Sequence, residues 1–161
     1  MTKTVRKGAK GALIDEYERA LLDLHQAISD VTEAELTTIV DKETSDANCK
    51  SIQTILAHVV RAGFNYAVYI QRLRGNKADF HPFLLRGSIV EYKIDTMEFL
   101  KYTEQTLADI PENELEEFDN AKKILSQWGQ IFDIDQMMEH AIVHILRHRR
   151  QIEKFKILLR N

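Results

Sequence analysis

Apolar residues recur every three or four positions along four stretches of the chain, and a polar or helix-breaking segment bounds each stretch. Leu13, Tyr17, Leu21, Leu24 and Ile28 form the first stripe, with Glu16, Glu18, Asp23 and Gln26 largely off it. They predict a helix from near Gly11 or Ala12 to about Asp30. Ile52, Ile55, Leu56, Val59, Val60, Phe64 and Ala67 predict a second helix over 52–73, capped by Ser51 and stopped by Arg74-Gly75-Asn76. Ile89, Tyr92, Thr96, Phe99, Leu100, Thr103 and Leu107 predict a third over 89–109. A Ser88–Glu91 capping box opens it and Pro111 interrupts it. Met138, Ala141, Ile142, Ile145, Ile152, Phe155 and Leu159 predict the last, which starts at Asp133 or Asp135 and continues nearly to the C-terminus.

The connections are more polar. Val31–Leu36 reads as a short turn with a Thr32–Glu35 capping box, and 37–50 as a connection without firm period. Residues 77–88 read as a loop held partly by apolar residues around Pro82. Residues 120–132 read as an irregular excursion with a bend at Trp128-Gly129. There is little sign of a sheet. Helices of this length with one apolar stripe are unstable alone, so the expected fold is all-α: a four-helix bundle over 11–161, preceded by a flexible basic arm over 1–10.

Composition narrows the class. The 161 residues suit one domain, and 44% hydrophobic with 29% charged residues is a globular balance. A net charge of -3 gives no general attraction to nucleic acid or anionic lipid. No apolar run is long enough for a membrane span, and the basic N-terminus lacks the apolar stretch of a secretory signal. The single cysteine, Cys49, forms no intrachain disulfide. A cytoplasmic location, with no membrane or nucleic-acid partner, is the expectation.

The candidate chemistry lies in the histidines. His140, His144 and His148 stand four apart on the last helix, so each ring sits one turn above the next. Two such rings can grip a divalent ion and leave room for a ligand from a facing helix. His58 is the natural candidate, because it lies among Ile55, Leu56, Val59 and Val60, where an unpaired ring is costly. The plain alternative is a solvated histidine face and a hydrogen-bonded core histidine. The stretch lacks the glutamate of an HExxH protease, and no set of inward carboxylates for a di-iron site is visible. A mononuclear three-histidine site with open positions is the better metal reading. No catalytic acid or base is identified. Tyr66 and Tyr69 read as boundary or core aromatics, His25 and His81 as peripheral, and Cys49 as an ordinary small residue. Arg147, Arg149, Arg150, Lys154 and Lys156 read as a solvated basic face, with attraction of an anionic substrate or cofactor as the alternative.

Three segments together resemble the DinB-like (DinB/YfiT-like) superfamily of four-helix metalloenzymes. They are the opening helix LIDEYERALLDLHQAISDVTEAEL, the serine-capped SIQTILAHVVRAGFNYAVYI, and MMEHAIVHILRHRRQI, similar to a closing H-x-x-x-H-R-x-Q-I signature. The resemblance spans nearly the whole chain and implies a metal triad of His58, His144 and His148, with His140 extra. Arg150 stands where the family often has glycine. It also implies a homodimer and one divalent transition metal (nickel, zinc or iron). The implied activity is that of a hydrolase or a transferase using a low-molecular-weight thiol, acting on a small-molecule substrate. The competing expectation is a non-enzymatic, dimeric small-ligand binding or stress-response protein.

Overall fold

The computed structural model describes residues 5–161. Its helices are α1 (Gly8–Ile28), α2 (Glu33–Thr37), α3 (Ile52–Leu73), α4 (Ile89–Ala108) and α5 (Ile134–Arg160). The four long ones close a ring: α1 packs on α4 and α5, and α3 packs on the same two. The bundle is therefore all-α in its core, with Tyr17, Leu21, Leu24, Leu56, Tyr92 and Phe99 fully enclosed.

Capping chemistry sets most of the boundaries. Ser51 and Thr54 exchange bonds at the start of α3, and Asp133 and Gln136 do so at the start of α5. The Thr32–Glu35 box opens α2, one short helix within the segment expected as a turn. At α4 the box is half formed. Ser88 Oγ accepts from the Glu91 amide, but the Glu91 carboxylate bonds the Ser88 hydroxyl rather than its backbone N–H.

Two expectations need correction. Helix α1 begins at Gly8, so 8–10 belong to the helix rather than to a flexible arm. Just before it, Arg6 ties the chain to Asp15 and Glu18 of α1 and to Glu104 of α4. The remainder of the expected arm, 1–4, lies outside the described residues. The excursion after α4 also contains a small antiparallel hairpin, β1 (Ile124–Leu125) with β2 (Ile131–Phe132). Its turn uses Gly129 at φ +85°, a conformation glycine adopts without steric cost. The Tyr69 hydroxyl accepts the Gln127 amide at 3.0 Å and so fastens the hairpin to α3.

One close approach fixes the spacing of α3 and α4. A Cβ added at Gly63 would lie 2.7 Å from the Phe99 ring, so glycine lets that ring sit against the α3 backbone. Basic residues of α5 tie it to α1, to the turn after it and to α2. Lys156 bonds Ala27 O and Asp30, Arg160 bonds Asp30 and Glu35, and Arg149 pairs with Asp23. The expected solvated basic face is thus partly an inter-helix clamp. Among the described residues, no helix is long and apolar enough to cross a membrane.

Candidate metal centre

Packing of α3 against α5 brings His58 to His144 and His148. His58 Nε2 lies 2.9 Å from His144 Nε2, and His148 Nε2 lies 3.1 Å from the same atom. One nitrogen from each ring falls within a 4.8 Å cluster. A tetrahedral ion with metal–nitrogen bonds of about 2.0–2.1 Å holds its ligand nitrogens on the order of 3.3 Å apart. The cluster is compatible with a divalent metal ion.

Burial keeps these rings neutral. His144 is 7% exposed, and His58 and His148 are partly buried. Desolvation, reinforced by His148 and Arg61, lowers the His58 pKa to about 4. Desolvation together with His148, His58, His140 and Arg147 lowers that of His144 to about 2. His148 is also lowered by burial, although Gln151 works against the shift. All three are neutral near pH 7, the state that binds metal.

The donor set passes a second test. The His148 Nδ1–H donates to Gln151 Oε1 at 3.0 Å, which leaves its Nε2 lone pair facing the cluster. The Nδ1 atoms of His58 and His144 are buried without a hydrogen-bond partner. The Nε2 contacts of 2.9 and 3.1 Å can be met by a shared ring N–H or by a coordinating cation, and the convergence of the three nitrogens is compatible with the latter.

The cluster adjoins a cavity of about 640 Å³, onto which His58 and His144 open. Phe80, Phe83, Tyr66 and Trp128 supply apolar wall. His140 lines this cavity outside the cluster and stacks on Trp128, with ring centres 5.4 Å apart. Of the roles open to it, lining the approach is the one its position supports.

Several residues take different places from those expected. His81 is not peripheral: it lines the cavity, stacks on Phe64 with centres 4.3 Å apart, and its amide donates to Asn65 Oδ1. Tyr66 packs edge-on against His140 and His144, so it is both a core aromatic and a wall of the site. Arg147 belongs to the cavity as well as to the basic face. His25 bonds Thr96 on α4, away from the cluster. Cys49 contacts Asp46 and Gln151, and burial raises its thiol pKa, the opposite of activation. Arg61 and Asn65 carried no expectation, and Gln151 stood in the closing signature with no role assigned. A signal existed for two of them, since Arg61 and Gln151 each follow a clustered histidine by three residues, one helical turn.

No family model, curated protein or solved structure matches the chain.

Proposed function

We propose that this is a metal-dependent enzyme of the DinB-like class in which His58, His144 and His148 bind one divalent transition metal (nickel, zinc or iron). The convergence of three neutral imidazoles from two helices beside a cavity carries the reading. A divalent ion there supplies Lewis acidity, which makes a nucleophile from water or a low-molecular-weight thiol near neutral pH. The chemistry is that of a hydrolase or a thiol-dependent transferase acting on a small molecule.

The chain's own groups do the rest. Gln151 holds His148 in the tautomer that presents Nε2. Aromatic walls reduce the water around the reacting groups. His140, neutral because burial and Arg147 lower its pKa, can take a proton at a ring nitrogen. The segments named above support the family assignment, which brings with it a cytoplasmic homodimer.

The test is equilibrium zinc and nickel binding by chelator-stripped protein. We expect one ion per chain, and at least a hundredfold weaker binding for His144→Ala and His148→Ala with helicity retained. Equal affinity in wild type and both variants, or no binding at all, contradicts the site.

A further inference from the structure

Arg61 and Arg147 are spaced alike from two of the clustered histidines. Arg61 follows His58 by three residues on α3, and Arg147 follows His144 by three on α5. Each arginine therefore lies one helical turn from a histidine, on the same side of its helix, and both line the cavity.

These two guanidinium groups are unspent. Arg6, Arg19, Arg74, Arg86, Arg149 and Arg160 each pair with a carboxylate and Arg72 bonds Ala78 O, while Arg150, also without a carboxylate, lies outside the cavity lining. Among the described residues, neither Arg61 nor Arg147 has an ion-pair or hydrogen-bond partner, and no aspartate or glutamate lines the cavity. The Arg61 guanidinium lies over the Phe83 ring, 5.2 Å from its centre. That contact steadies the group by its face and leaves its N–H edge free. In a chain of net charge -3, a cavity with two free cations and no acid concentrates anions locally.

We infer that the cavity binds a small aromatic oxyanion, a carboxylate or a phosphate ester, with Arg61 and Arg147 taking the charged group. Guanidinium forks match both groups in a bidentate manner. Phe80, Phe83 and Trp128 offer flat apolar surface to the ring, and a volume of about 640 Å³ accommodates it. This assignment names the substrate class of the proposed metalloenzyme and rests on that reading for its chemistry, though not for the anion contact itself.

Trp128 is the chain's single tryptophan and lines this cavity, so its fluorescence reports occupancy. The experiment titrates the zinc-reconstituted full chain with benzoate, phenyl phosphate and neutral benzamide. We expect saturable change with benzoate or phenyl phosphate at concentrations at least tenfold below those for benzamide. Arg61→Gln and Arg147→Gln each weaken the anion about tenfold without moving benzamide, and the lysine variants fall between. Preference for benzoate over phenyl phosphate, or the reverse, identifies which oxyanion is taken.

Equal binding of the anions and benzamide, or full anion affinity in both glutamine variants, overturns the inference. Zinc content measured on the same samples separates the two claims. Zinc retained without anion preference overturns the substrate class alone. Anion preference and its loss in the arginine variants, with no zinc bound, upholds the oxyanion site and overturns the metal reading.

Discussion

At the scale of single residues, the centre depends on how each imidazole is held. His148 has a partner for its second nitrogen, Gln151, whereas the Nδ1 atoms of His58 and His144 have none. Outer partners of metal-binding histidines commonly change affinity by about 10–100-fold. Gln151→Ala is therefore expected to weaken zinc binding at least tenfold while one ion per chain remains attainable, as measured by competition with a chromogenic chelator. The histidines of α5 were visible in the sequence because spacing by four is itself a geometric statement. His58 was visible because it interrupts an apolar stripe. His81 was not, because its role depends on a cavity formed by Phe83, Pro82 and the hairpin, which no local pattern encodes, and Arg61 offered only its one-turn spacing from His58.

At the scale of elements, the distance between α3 and the helices beside it decides whether the cluster forms. Gly63 faces Phe99 on α4, five residues beyond His58 on α3. Gly63→Ala adds a methyl where a ring already touches, so α3 and α4 must separate or Phe99 must turn. The expected cost is about 1–3 kcal/mol by denaturant unfolding, despite alanine's better helix propensity. A stabilised variant would contradict the close packing. The four long helices were legible because their stripes span many turns and because Ser51 and Asp133 carry strong caps. The hairpin was not, since two residues per strand leave no period to read, and its anchor is a distant hydroxyl, that of Tyr69. The early start of α1 was not legible because residues 1–10 are basic and carry no apolar stripe. What supports that end is tertiary: Arg6 reaches three carboxylates, one of them on α4.

For the whole molecule, burying neutral histidines links stability to pH. In the metal-free protein, unfolding releases His58 and His144 to solvent, where imidazole takes up a proton below about pH 6.5. In the folded chain the same groups remain neutral down to about 4 and about 2. The unfolded state thus binds more protons below pH 6.5. The stability of the metal-free fold is full above that value and falls as the pH drops toward 4, by up to about 1.4 kcal/mol per pH unit for each histidine. Thermal unfolding of chelator-stripped protein between pH 7 and 5 should show this decline, with a shallower slope for His144→Phe. A melting temperature that is flat over this window would contradict the burial of these rings.

The central claim is that α3 and α5 meet through one metal ion held by three imidazoles. X-ray absorption spectroscopy of the zinc-reconstituted chain tests it most directly. The account predicts one zinc per chain, three imidazole ligands at about 2.0 Å, lighter scattering from a further exchangeable ligand, and one imidazole fewer in His58→Ala. A first shell with fewer than three imidazoles, or an unchanged shell in His58→Ala, would contradict it.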